Sequence, residues 1–463
     1  EKPKITNLVV TGAKQNGDVY YATENFTIDF KVQDDYKLNS LTYKENAETL
    51  QNVAVEANNV QQSKSISISK RGNTGDVTKI TNIIRVEDVF GRFDEKKITY
   101  VFDLKTPVFG VLNYSLINPD AQGIGFIDSA KVFKVTGSVT DNGTDESGVD
   151  SVKFAVAKGH VDTFPANADD IKINWDDVTG AASDWTARVE AGSLDDGKYT
   201  LFVKAKDFAG NEKFANPVKF KADANKPEIA AYYFDVTGSD ESVVETAKEF
   251  KSGEEELTNK TVTRIKASKL KFKFKVSDSL ELDGTTPYTL AVKKTKNGAT
   301  STLVRDTNYT LEADAANSSG AQIYTVSISS AEDAEYCYEI TAKDSMGKVH
   351  SVKKYILLDT VGPEINVLNP SLEEEGSSNF VWQNKNALRV SGSVSDASGI
   401  EHVYYKEEKI LTAPESFSGW EDLGNSTSWK KDINVPDGTK DITLIAVDTN
   451  GTKSEVYNYT LRV

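Results

Sequence analysis

Aspartate is the residue whose placement in this chain invites chemistry. Four times an alternating stretch ends near an Asp with Gly three residues on: Asp88 and Gly91, Asp207 and Gly210, Asp344 and Gly347, Asp448 and Gly451. Fifteen or sixteen residues after the first three come Asp103, Asp223 and Asp359, each followed four residues later by Pro107, Pro227 or Pro363. A further set, Asp141, Asp278 and Asp396, closes the stretches VFKVTGSVTD, FKFKVSD and LRVSGSVSD. Two kinds of chemistry suit such acids. An Asp at the start of a turn caps its own backbone amides and a Gly completes the turn, which by itself explains the repeat. Carboxylates gathered on loops also offer the hard oxygens of which calcium takes roughly six to eight.

Catalysis finds less support. His160, His350 and His402 are too far apart in sequence for HExxH or a paired-histidine metal site. There is no GxSxG elbow, phosphate-cradling glycine loop or dinucleotide fingerprint. A glycosidase pair of carboxylates needs a cleft, which linear modules rarely supply. The formal charge of −16 argues against nucleic acid and anionic lipid surfaces, both of which need clustered Lys and Arg. One cysteine, Cys337, excludes an intrachain disulfide and points to a bacterial secreted protein or an intracellular chain. Alternation in EYCYEITAKD puts Cys337 opposite Tyr336 and Tyr338, as an outward-facing surface thiol. No apolar run is long enough to span a bilayer.

The elements that must position these acids are strands. Phe26, Ile28, Phe30 and Val32 alternate with polar residues, the pattern of a strand with one face on a core. Proline at each joint fixes φ and offers no N–H to a ladder, which suits a linker or the first residue of an edge strand. The joints divide the chain into residues 1–105, 106–224, 225–361 and 362–463. The second and fourth units correspond almost word for word: a long strand, SGV or SGI, Trp175 and Trp185 or Trp420 and Trp429, a DG turn, then the anchoring Asp207 or Asp448. The third diverges, with an acidic stretch and a helix-compatible run, SVVETAKEFKSG, from Ser242. Fifteen residues beyond Asp448 is Val463, so the chain stops where a fifth joint would begin, as a fragment of a longer array would.

The combination of GSVxDxSGI, a Trp-bearing middle, a DG turn, AxDxxG and a DxxxP joint resembles the tandem bacterial immunoglobulin-like and fibronectin type III-like domains of surface and secreted proteins. The resemblance covers the whole chain, closely in the second and fourth units and loosely in the first and third. It implies an all-β fold of four tandem antiparallel immunoglobulin-like β-sandwiches in an elongated array, a monomeric rod. In such a unit the loops after the second and sixth strands share a pole with the entering chain. Asp141 with Asp207, Asp278 with Asp344, and Asp396 with Asp448 then become neighbours, and the joints bring Asp103, Asp223 with Glu228, or Asp359 with Glu364 to the same places. Calcium at these junctions would stiffen the rod, as in the cadherin-like arrangement. Tyr199 and Tyr336 stand where sandwich domains place a tyrosine that bonds back to the preceding turn, and Lys440 takes that place in the fourth unit.

One Trp of each pair is expected in the core, and Trp382, in NFVWQNKN, is the candidate for ligand binding by sugar stacking. The leading expectation is a non-enzymatic, extracellular bacterial surface protein acting as a stalk and adhesion surface toward a host or neighbouring-cell protein or glycan. The alternatives are an accessory region of a secreted polysaccharide-degrading enzyme and a purely structural fibre segment.

Overall fold

The computed structural model describes residues 1–463 apart from 47–48, 57–59, 71–78, 142, 144–145, 236–241, 244–261, 267–269, 297, 316, 319, 329–330, 370–372, 376–377, 383–386, 398, 435–437, 450 and 463. For 231–235, 242–243, 262–266, 373–375, 378–382 and 387 it describes the backbone alone. The chain divides into two compact units, Glu1–Ala224 and Asn225–Val463.

Among its described residues Glu1–Ala224 contains two pairs of facing sheets and a two-stranded ribbon, Val108–Phe109 with Val139–Thr140. In the first pair, Lys4–Thr11, Phe26–Gln33 and Gln61–Ile68 form the smaller sheet. The larger has six strands, with Phe93–Phe102, Ile80–Asp88 and Leu38–Glu45 at its centre. Strict alternation does the work of packing: Phe26, Ile28, Phe30 and Val32 all face a core that Leu41, Ile84, Val86 and Tyr100 enter from the other sheet. Each such side chain, fully buried, contributes roughly 1.5–3 kcal/mol. The second pair sets Phe133–Gly137 and Asp184–Val189 against a sheet built on Val149–Lys158, Gly197–Asp207 and Val218–Asp223.

Asn225–Val463 repeats the plan. Leu270–Ser277 and Ala321–Ile328 oppose Tyr288–Lys296, Ala334–Lys343 and Val349–Leu358 around one core. Ala387–Ser395 and Ser428–Asn434 oppose Ile400–Lys406, Thr439–Asp448 and Tyr457–Arg462 around another. Among the described residues, strand pairing is antiparallel except for one parallel pair in each larger sheet, and the isolated bridge Arg305–Tyr309 is also parallel. A short early strand runs parallel to the last long strand, as Val19–Ala22 does to Phe93–Phe102 and Ser378–Trp382 to Tyr457–Arg462. The entering chain starts on the small sheet and crosses to the edge of the large one, where its direction matches that of the final strand.

The recurring motif letters now have physical causes. Gly137 pairs across the small sheet with Trp185, and Gly392 with Trp429. A Cβ on Gly137 would lie 2.7 Å from the Trp185 ring, and one on Gly392 would lie 2.6 Å from the Trp429 ring and 2.0 Å from the Asn366 carbonyl oxygen. The glycine of GSV is the space that the core tryptophan fills. The tyrosine corner forms as expected: Tyr199 Oη donates to the Asp195 carbonyl at 3.1 Å and Tyr336 Oη to that of Glu332 at 3.0 Å. Lys440 substitutes for it, its ammonium donating to the Asn434 carbonyl at 2.9 Å and to Glu407 at 2.7 Å.

Two expectations need correction. Cys337 does face away from Tyr336 and Tyr338, yet it is buried at 8% exposure. Its strand is central, flanked by Tyr288–Lys296 and Val349–Leu358, so cross-strand neighbours cover the outer face as well. Burial pushes the thiol up, with Tyr355 hydrogen-bonded beside it, and the residue is no surface thiol. The run from Ser242 begins as strand, Ser242–Val243, and its remainder lies outside the described residues.

Candidate cation-binding junctions

Asp207 ends the strand Gly197–Asp207 and opens the turn to Gly210. Its Oδ1 accepts from the Gly210 and Asn211 amides at 2.6 and 2.8 Å, and its Oδ2 from Asn211 Nδ2 at 2.8 Å. Asp448 Oδ1 accepts from the Thr452 amide at 2.7 Å, and Asp344 Oδ1 from that of Lys348 at 2.8 Å. The Asx turn therefore exists. It uses Oδ1 at each turn.

The same aspartates also belong to groups. Asp103, Asp141 and Asp207 are all buried and offer ligand oxygens within 4.8 Å of one another. Asp103 arrives with the joint that follows Phe93–Phe102, and Asp141 with the loop after Val139–Thr140. Asp103 Oδ2 accepts from the Ser147 amide at 2.7 Å, and its carbonyl accepts from Asn211 Nδ2 at 2.9 Å. Ser147 Oγ donates to Asp141 at 3.3 Å. One group thus ties the end of the first sandwich to two loops of the second.

In Asn225–Val463, Asp359, Asp396 and Asp448 gather within the same 4.8 Å, Asp359 coming again from the joint. Asp278 and Asp344 approach each other at the head of the preceding sandwich. There burial raises the Asp344 carboxyl, and the Asp278 charge adds to the rise. Asp278 Oδ2 and Asp344 Oδ2 are both buried without a hydrogen-bond partner. Asp223 ends Val218–Asp223 and is buried, its carbonyl accepting from the Ser129 amide at 3.3 Å. Glu228 and Glu364 are not drawn in. Each is exposed, because the alternation that buries Ile365 turns Glu364 outward.

The electrostatics of the first group fit a cation. Burial pushes Asp141 up to about 6, and the charges of Asp103 and Asp207 push it the same way. Burial likewise raises Asp207. Like charges in a dry site disfavour one another's ionisation, and a divalent ion is what relieves that. The donor set is hard oxygen throughout, which suits calcium over softer metals.

Sequence reasoning passed over several participants. Ser147 and Asn211 hold the group together from positions that carry no periodic signal. Glu146 pairs with Lys105 across the joint at 3.0 Å. Asp34, immediately after Phe26–Gln33, occupies the place of Asp141, and its position relative to that strand was the available clue.

The tryptophans divide as the sandwich requires. Trp185 and Trp429 are core. Trp175 packs against Phe164 at 4.6 Å and Phe214 at 5.7 Å with Lys204 above its ring at 4.7 Å. Trp420 meets Phe417 at 5.5 Å, and Phe417 stacks on Tyr404 at 3.9 Å. These outer-face rings cover one another and pin loops to the sheet. Trp382 ends Ser378–Trp382, and its side chain lies outside the described residues.

No family model and no curated protein matches this chain. Its structural neighbours are tandem-domain proteins. The chain is similar to a tetra-tandem repeat from the extending region of a large adhesion protein, at 16% identity and a TM-score of 0.26 over 98% of both chains. A second neighbour is a Ca2+-stabilized adhesin that helps an Antarctic bacterium reach out and bind ice, at 14% identity and a TM-score of 0.28 over 99% of this chain and 97% of that one. A third comprises the fibronectin(III)-like modules of Clostridium thermocellum CbhA, at 16% identity and a TM-score of 0.19, covering 44% of this chain and 91% of that one. No helix among the described residues is long and apolar enough to cross a membrane.

Proposed function

We propose that this chain is a non-enzymatic, modular stalk of an extracellular bacterial surface protein, with calcium bracing its inter-sandwich junctions so that a binding surface is held away from the cell. The observation that carries the reading is the Asp103, Asp141 and Asp207 group. It takes one carboxylate from the end of one sandwich and two from the head of the next. A stalk needs resistance to bending at its joints, and a flexible joint wastes reach. Bound there, the ion would supply the positive charge that three buried carboxylates lack. Asp103, Asp141 and Asp207 would hold it, as would Asp359, Asp396 and Asp448.

The test is thermal unfolding in calcium and in chelator, with Asp103→Asn, Asp141→Asn and Asp448→Asn variants alongside. Calcium should raise the melting temperature of the wild type, and each variant should blunt the rise. A melt that calcium and chelator leave unchanged removes the reading.

A further inference from the structure

The turn that opens at the anchoring aspartate behaves differently in the two sandwiches of Glu1–Ala224. In the second sandwich, Phe208 and Ala209 of this turn lie on Val19, Tyr21 and Val101, an apolar pad at the exit end of the first. In the first sandwich the matching turn is Asp88, Val89, Phe90, Gly91. Its Phe90 is 66% exposed, and Tyr36, 69% exposed, packs beside it at 5.6 Å. Val89 is exposed as well. Clustered large apolar side chains facing water mark an interaction surface rather than a neutral one.

The polar part of the joint is prepared too. Asp34 Oδ1 accepts from the Tyr36 and Lys37 amides at 2.8 Å, as Asp278 Oδ1 accepts from those of Leu280 and Glu281. Its other oxygen is buried without a hydrogen-bond partner, in a residue 5% exposed. Asp88 Oδ1 accepts from the Phe90 and Arg92 amides, as Asp207 Oδ1 does from those of Gly210 and Asn211. In the second sandwich the remaining carboxylate, Asp103, lies four residues ahead of Pro107, and Pro3 stands where Pro107 does.

We propose that the entry pole of residues 1–105, through Tyr36, Val89, Phe90 and Asp34, docks the exit pole of another sandwich of this kind joined ahead of Pro3. That occupant presents an apolar pad like Val19, Tyr21 and Val101 together with a joint aspartate. Size decides between a joined sandwich and a free partner. A stable free interface buries about 1,200–2,000 Å², which a two-residue turn on a three-residue pad does not approach. A short tether raises the local concentration to the order of millimolar and makes so small a contact sufficient.

The test appends a copy of residues 1–104 carrying Tyr36→Ser and Phe90→Ser directly ahead of Glu1 in the full chain, so that Tyr36 and Phe90 are read from the original sandwich alone and a copy of Asp103 stands four residues before Pro3. Hydroxyl-radical oxidation of Tyr36 and Phe90 is then compared with the unextended chain, in calcium and in chelator. Docking should slow both by roughly threefold or more, because the centre of a contact excludes water. Phe208 serves as the internal standard for a docked turn. Unchanged rates in both buffers overturn the proposal. Since the appended copy could misfold, a second arm places the first sandwich's turn residues at the existing joint through Phe208→Val with Ala209→Phe. Tyr21 should stay as protected as in the wild type, and exposure of Tyr21 overturns the proposal whatever the extended chain does. Protection in chelator alone separates this result from the cation reading, because it needs the apolar turn and no ion.

Discussion

Asp141 illustrates how one side chain can be unfavourable alone and useful in company. Its carboxyl sits at about 6 in the folded chain, raised by burial first and then by Asp103 and Asp207. In the unfolded chain it returns to the usual carboxylate value of about 3.9. Between those values the folded state holds the proton more tightly, so this group's stability is fully present below about pH 4 and lost as pH rises through 6. In chelator, the melting temperature of Glu1–Ala224 should therefore climb as pH falls from 7.5 to 5, and calcium should flatten the trend. A melt indifferent to pH over that range would contradict it. Asp283 has the opposite sign: the Thr286 amide first, then Lys343, holds it down to about 2. Its contribution is present above the ordinary carboxylate value and lost only as pH falls toward 2, so it does not mask the Asp141 effect. Asp141→Asn should raise stability in chelator at pH 7.5 by on the order of 1 kcal/mol. It should also remove most of the calcium response. Destabilisation in chelator would mean that the carboxylate is already compensated.

At the level of strands, the small sheets of the second and fourth sandwiches are organised by glycine and tryptophan. Trp185→Ala should cost about 3–5 kcal/mol, the usual penalty for emptying a core aromatic site. Trp175→Ala, on the outer face, should cost about 1–2 kcal/mol. Gly392→Ala is the sharper probe, because its Cβ would meet both the Trp429 ring and the backbone oxygen of Asn366. Backbone cannot step aside as a side-chain tip can, so a loss of about 2–3 kcal/mol is expected. Denaturant unfolding followed by tryptophan fluorescence checks all three, and a Gly392→Ala protein as stable as wild type would refute the packing account. Tyr199→Phe should cost about 1 kcal/mol, the worth of its hydrogen bond to Asp195.

Across the whole molecule, the recurring design is a sandwich whose entering chain, second-strand loop and sixth-strand turn converge at one pole. That convergence turns a local turn motif into a joint. If ions brace the joints, small-angle scattering should give a narrower distribution of long distances in calcium than in chelator. Asp103→Asn should shift the calcium profile toward the chelator one. Identical profiles under all three conditions would leave the junctions mechanically unexplained.

Much of this was already written in the order of residues. Alternation in Phe26–Gln33 or Leu270–Ser277 fixes which face is buried, because side chains on a strand alternate strictly. The spacing of Asp and Pro marks the joints because turns and φ restriction are local. Pairing was not local. Whether Asp141 meets Asp207 and Asp103 depends on loops distant in sequence closing at one end of a sandwich, and only the folded chain brings Ser147 and Asn211 between them. Cys337 shows the same division. Its face followed from alternation, but its burial depended on which strands flank it, and the chain settles that only by folding.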